Sequence, residues 1–224
     1  MIPTLACEEL SCRRENWNDS GLSCIERITA EFHAGRFYGV CGAQGSGKGL
    51  LLNVLGLLEP PDTGKLTVGG EIAWDLPPDE AMQLRNEAFG FLFDHSCLLP
   101  SFSLAENVAM PLFRICGGDA REARQRTMAA LEFCGIEDLE STLAGRLSDA
   151  NKMRAALARA LVHEPSILIA ISPQAEESFL ELGGRVAHEL GLCVLWAGKE
   201  TELARQADHL IAMKEGRITA PFAS

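Results

Sequence analysis

What is scarce in this 224-residue chain narrows its function before any motif is considered. Basic residues are outnumbered: 20 Lys and Arg face 31 Asp and Glu, for a formal net charge of -11. Such a surface is repelled by phosphate backbones and anionic headgroups, which argues against nucleic acid as a direct partner. No apolar run approaches the roughly 18 residues of a membrane-spanning helix. The first residues combine neither a basic region nor an apolar core, so no secretory signal is expected. The expected location is cytoplasmic, with any membrane contact made through a partner. None of the eight cysteines forms a CxxC pair or stands at zinc-finger spacing from a histidine. They replace small apolar residues in periodic segments and are expected to be reduced core thiols. Internal repeats and low-complexity tracts are also lacking.

What is present is an ordinary globular composition, 47% apolar with charge spread along the chain. The length suits one α/β domain over 1–224. Short strands are expected at Thr4–Ala6, Ile25–Phe32 and Phe37–Cys41. A buried helix over Leu50–Leu58 should follow, then a hairpin of Lys65–Val68 and Glu71–Trp74 around Gly69-Gly70. Residues from about Ser101 to Leu161 suggest helices broken by Gly117-Gly118 and Gly135. Ser166–Ile171, Cys193–Ala197 and His209–Met213 have strand character. Helices over about Glu176–Leu190 and Glu202–Ala207 separate them. This alternation argues for a mostly parallel sheet, and the helical block at about 95–162 for an inserted lobe.

Between the expected strand Phe37–Cys41 and the helix lies Gly42-Ala43-Gln44-Gly45-Ser46-Gly47-Lys48, a G-x-x-x-x-G-K phosphate-loop core. The glycines let backbone N–H groups turn inward around phosphate oxygens. The lysine supplies a point charge, and the helix presents its positive end. Gly42, Ala43, Gln44, Gly45, Ser46, Gly47, Lys48 and Gly49 are the candidate cofactor-binding residues.

Several separate stretches then resemble the ATP-binding subunits of ABC transporters, nearest the subgroup serving lipoprotein release (LolD-like) and macrolide export. They are Leu84-Arg85-Asn86, Phe89-Gly90-Phe91, Leu98–Leu112 (LLPSFSLAENVAMPL), Leu147-Ser148, Arg154–Leu161 (RAALARAL), Glu202-Leu203-Ala204 and Ala207-Asp208. The resemblance covers nearly the whole chain. It implies a P-loop NTPase of the ABC ATPase type: a RecA-like parallel-sheet core, an antiparallel β lobe and the helical lobe. It also implies ATP as cofactor and a membrane permease as partner, with a second cassette, either another copy or an active paralogous ATPase.

The chain departs from that family at the positions that carry its chemistry. The hydroxyl that ligates Mg²⁺ after the loop lysine is replaced by Gly49. The Walker B acid and the general base are replaced by Ile171 and Ser172; isoleucine offers no oxygen to a hard cation, and serine no basicity at pH 7. The family's glutamine aligns with Asp94 and its switch histidine with Lys199. Its signature motif stands as Leu147-Ser148-Asp149-Ala150-Asn151, and Arg14 falls roughly where an aromatic stacks on adenine, with Trp17 close by. Glu176 and Glu177 lie beyond Pro173, in a different loop of the family. No catalytic residue and no metal ligand is therefore assigned. The expectation is a catalytically degenerate subunit with weak or vestigial ATP binding and no secure Mg²⁺ site. The alternatives are an active ATPase of the same transporter type, or a cytosolic regulator or scaffold derived from one.

Overall fold

The structure is a computed structural model, and it describes residues 2–15, 22–115, 119–171 and 177–219. In chain order its elements begin with strands β1 (Leu5–Glu15), β2 (Leu22–Phe32) and β3 (Arg36–Cys41) and helix α1 (Lys48–Leu55). Strands β4 (Thr63–Val68) and β5 (Glu71–Ile72), helix α2 (Pro78–Ala88) and strand β6 (Phe89–Phe93) follow. Then come α3 (Leu104–Ala109), α4 (Leu112–Ile115), α5 (Ala120–Phe133) and α6 (Asp149–Leu161). The chain closes with β7 (Ile167–Ile171), α7 (Glu177–Leu190), β8 (Cys193–Ala197), α8 (Glu200–Leu203), β9 (His209–Lys214) and β10 (Arg217–Ile218).

Two sheets organise these elements. A six-stranded sheet runs β10-β9-β3-β8-β7-β6, parallel except for β10. An antiparallel sheet runs β2-β1-β4-β5. The run Ile167-Leu168-Ile169-Ala170 of β7 is apolar at every position because both faces of a parallel strand are covered. Ile167 and Ile169 join the core beneath α1 and the antiparallel sheet, while Leu168 and Ala170 join the core shared with α3, α5 and α6. On the same side α7 lies very close to β8: a Cβ at Gly183 would sit 2.6 Å from the Trp196 ring.

Helix α3 starts where its sequence signals a start. Ser103 Oγ accepts from the Glu106 amide at 3.2 Å, and the Glu106 carboxylate accepts from the Ser103 amide at 2.7 Å. Such a capping box stabilises a helix by about 1 kcal/mol. Leu104, Val108 and Leu112 point inward, as their spacing implies.

Several boundaries differ from expectation. The first strand extends to Glu15 rather than ending at Ala6, because two register shifts let its polar residues continue the pairing with β2. The hairpin ends at Ile72, and Trp74 lies in a 3₁₀ turn. Residues 101–103 precede the first helix of the expected helical block and are not helical. Helix α8 starts two residues before the expected Glu202, on the C-terminal flank of β8. The cysteines divide: Cys7, Cys12, Cys41, Cys134 and Cys193 are buried, but Cys97 is exposed, with a positive φ of 47°. Burial raises the Cys7 and Cys134 thiols to about 12, so both stay protonated. Cys116 lies outside the described residues.

Candidate functional site

Strand β3, buried along Phe37–Cys41, delivers the chain to the carboxyl edge of the parallel sheet, where the glycine-rich loop turns into α1. Gly42 and Gly47 have φ of 152° and 94°, and neither tolerates a side chain. A Cβ on Gly42 would meet the Met213 carbonyl of β9, and one on Gly47 would meet the Cys24 carbonyl of β2. The loop is thus gripped between the two sheets. The Gly216 amide ties it further by donating to the Ser46 carbonyl at 3.1 Å.

Lys48 folds back across this loop. Its ammonium donates to the carbonyls of Gly42 at 3.0 Å and Ala43 at 3.1 Å. Ser46 is buried, yet its Oγ has no hydrogen-bond partner among the described residues. An orphaned buried hydroxyl is costly unless something satisfies it. Together, the glycine turns, the ammonium, the orphan hydroxyl and the helix N-terminus fit a bound phosphate chain.

Mg²⁺ does not fit in the same way. A Cβ on Gly49 would meet nothing within 4 Å, so the space for a hydroxyl ligand exists but the ligand does not. Ile171 ends β7 beside Phe93 of β6 and packs against the core under α1. Ser172, Pro173, Gln174, Ala175 and Glu176 lie outside the described residues, as does Trp17. Among the described residues no three His, Cys, Asp or Glu side chains gather at metal-binding distance.

The other sequence-selected positions are scattered into separate local contacts. Asp94 is exposed, 3.7 Å from the His95 ring. Lys199 turns onto Glu202 at 3.0 Å, and Glu177 pairs with Arg205 at 2.7 Å. Ser148 caps α6, accepting from the Asn151 amide at 3.3 Å, while exposed Asp149 pairs with Lys152 at 3.0 Å. Arg14 is held in place: it donates to the Arg13 carbonyl, the Asp62 carboxylate and the Pro60 carbonyl, and pairs with Glu59 at 3.4 Å.

Two arrangements escaped sequence reasoning. Asn107 is fully buried in α3 and braces the preceding segment: it accepts from the Leu99 amide at 2.7 Å and donates to the carbonyls of Leu99 and Ser103 at 3.1 and 3.0 Å. The braced turn leaves Leu99 and Phe102 exposed, and the Ala144 amide, bonded to the Phe102 carbonyl, sets exposed Leu143 beside them. Phe113 of α4 is 75% exposed. The signal was an amide on the apolar Leu104–Val108 face. The second arrangement is Arg159 of α6, which donates to the carbonyls of Ser96 and Cys97 at 2.8 and 2.7 Å and so ties α6 to the loop after β6. Burial lowers its pKa.

The comparisons with known proteins agree with this architecture. The ABC transporter family model matches residues 25–174. The lipoprotein-releasing system ATP-binding protein LolD of Shewanella is 32% identical over 202 residues, covering 88% of this chain and 87% of that protein. LolD of Bordetella pertussis is 36% identical over 203 residues, with shares of 88% and 87%. The macrolide export ATP-binding/permease protein MacB of Brucella melitensis is 33% identical over 222 residues, 96% of this chain but only 34% of MacB. Among solved structures, the dimeric bacterial ABC transporter cassette MJ0796 superimposes with a TM-score of 0.83 at 25% identity, covering 96% of this chain and 97% of that one. CbiO1 of Clostridium perfringens, part of the CbiONQ transporter complex, reaches 0.86 at 25% identity, with shares of 98% and 88%. The chain belongs to the ABC transporter family, as an ATP-binding subunit of the LolD/MacB-like subgroup.

Proposed function

We propose that this chain is a nucleotide-binding subunit that keeps the phosphate loop of its family, does not hydrolyse ATP at its own site, and docks as one domain on a membrane permease. The observation that carries the reading is the pairing of a formed loop, Gly42–Lys48, with Gly49 and Ile171 where a metal needs oxygen. Without a metal ligand, and with Ser172 where a base is needed, the attacking water is neither oriented nor deprotonated. A positioned base alone is commonly worth about 10²–10⁴-fold in rate. ATP is then a ligand that is bound without being turned over.

The test is phosphate release from ATP by the purified protein. Wild type is expected to match Lys48→Ala within error. Turnover that disappears in Lys48→Ala would instead establish the active-ATPase alternative.

Docking is supported by the exposed Leu99 and Phe102, whose turn is braced by Asn107, with exposed Leu143 next to Ala144, whose amide bonds the Phe102 carbonyl. Exposed apolar anchors are the usual hot spots for a partner helix. The partner is the permease of the same transporter, which places the chain in the cytoplasm at the membrane face, alongside a second copy or a paralogous ATPase. Co-purification with the permease encoded nearest its gene should succeed for wild type and fail for folded Phe102→Asp. Equal retention of both would end the docking proposal.

A further inference from the structure

The turn between β9 and β10 grips the phosphate loop without belonging to it. Glu215 and Gly216 both have positive φ there, 50° and 78°. The bend sets Gly216 between β2 and the loop, and its backbone is used on both sides. Its amide donates to the Ser46 carbonyl at 3.1 Å, and its carbonyl accepts from the Glu26 amide of β2 at 2.8 Å. There is no spare room. A Cβ on Gly216 would sit 2.7 Å from the Cys24 carbonyl, and one on Gly47 would sit 2.4 Å from that carbonyl and 3.3 Å from the Gly216 Cα. An ion pair closes this clasp: Arg217 donates through Nε and Nη2 to one Glu26 oxygen at 2.9 and 2.6 Å, 191 positions away in sequence. The hydrogen bond from Arg217 holds the Glu26 carboxyl below its ordinary range, so the pair is charged near neutral pH.

The bond to Ser46 also orients the loop. A peptide unit is planar and trans, so its C=O and N–H point opposite ways. With the Ser46 carbonyl fixed on Gly216, the Gly47 N–H is turned away from β10. Gly47 is the N-cap of α1, and its N–H has no hydrogen-bond partner among the described residues. It is one of the free donors that a helix start offers to an anion. The orphan Ser46 hydroxyl belongs to the residue whose carbonyl is held. At the other end of the loop, Gly42 lies against the Met213 carbonyl of β9. Both ends of the loop thus rest on the β9–β10 hairpin.

We infer that Gly216 and the Glu26–Arg217 pair are positioning residues for the phosphate loop: they hold the Ser46–Gly47 peptide in the orientation that receives a phosphate chain, without touching the ligand. This rests on the phosphate-loop reading above and adds a control on its affinity from outside the loop. The coupling runs both ways. A phosphate chain in the loop firms the clasp by the factor through which the clasp tightens binding. The two side chains are 39% and 70% exposed, so that factor is modest.

Calorimetric titration of the full chain with inorganic tripolyphosphate, a probe that carries only the phosphate chain, tests this. Glu26→Gln removes a negative charge close to the loop. Electrostatics alone would then tighten the binding of an anion, whereas a loosened clasp weakens it, so the sign of the change separates the two. Binding is expected to weaken about threefold in Glu26→Gln and in Arg217→Ala, which is within what an exposed ion pair supplies. Gly216→Ala, whose Cβ meets the Cys24 carbonyl at positive φ, should weaken it about tenfold or more. The two surface variants keep the test open should Gly216→Ala fail to fold. In wild type, saturating tripolyphosphate should slow hydrogen exchange of the Gly216 amide about threefold, although that amide does not reach the ligand. If Glu26→Gln binds as well as wild type or better, or exchange at Gly216 ignores the ligand, the positioning role is overturned and the phosphate-loop reading stands. If folded wild type binds no tripolyphosphate, both are overturned.

Discussion

Two strands apart in one sheet, the loop after β3 and the end of β7 have been treated very differently. At the loop, glycine and lysine persist at each position the motif requires. At β7, Ile171 stands where the resemblance implies an acid, and at the start of α1 Gly49 stands where it implies a hydroxyl, which is the basis of the proposed loss of hydrolysis. The structure supplies a physical reason. Gly42 and Gly47 lie against the carbonyls of Met213 and Cys24, so folding itself forbids side chains there, whatever becomes of ATP. An acid at position 171 or a hydroxyl at 49 serves only a metal. On the proposed reading its replacement removes chemistry only, and Ile171 packs against the core under α1.

That contrast is open to direct attack. The largest effect should come from Gly47→Val, which forces a branched side chain into positive φ and onto the Cys24 carbonyl. A loss of about 3–5 kcal/mol in urea unfolding is expected. Ile171→Val should cost only about 1 kcal/mol. Comparable losses at the two sites would show that the loop carries no special folding load.

Next in size is Asn107→Ala, which leaves the Leu99 amide and the carbonyls of Leu99, Phe102 and Ser103 without their buried partner. It should cost about 2–3 kcal/mol and loosen the turn that presents Phe102, seen as faster hydrogen exchange at residues 99–103. Unchanged exchange there would mean that the turn is held by its own backbone bonds.

A gain of function sharpens the comparison from the other side. Because a side chain at Gly49 meets open space, Gly49→Ser combined with Ile171→Asp should fold and make ATP binding respond to Mg²⁺, by about tenfold between Mg²⁺ and EDTA. No response would mean that the two positions do not converge on one ion.

The smallest effect is one of pH. The hydrogen bond from Arg14, helped by the Arg13 amide, holds the Asp62 carboxyl below its ordinary value. Its folded pKa is thus lower than its unfolded one. The stabilisation is complete above the ordinary carboxylate range and is lost as pH falls through the folded value. Unfolding of wild type and Asp62→Asn should differ slightly at pH 7 and converge as pH falls below the ordinary carboxylate range. A difference that grows on acidification would reverse the assigned sign.

The sequence by itself determined the fold and the family, because both are written in local terms. Periodic apolar runs mark β3, β7, β8 and α3, the glycine-lysine spacing places the strand–loop–helix turn, and Leu98–Leu112 and Arg154–Leu161 carry the family's pattern. It also suggested the departures at Gly49, Ile171 and Asp94 on which the proposed loss of hydrolysis rests, since these need only be aligned to be noticed. It did not show the length of β1, whose polar residues continue pairing through two bulges, nor α2, on which no residue is buried. Tertiary structure alone decided what the remaining polar residues do. Arg14 meets Asp62 across 48 positions and Arg159 reaches Cys97 across 62, while Asn107 closes a turn that has no signature of its own. Periodicity and motifs record what a residue does within its own element. Hydrogen bonds between distant segments depend on how the sheets and helices come to rest against one another, and only the folded chain brings those partners together.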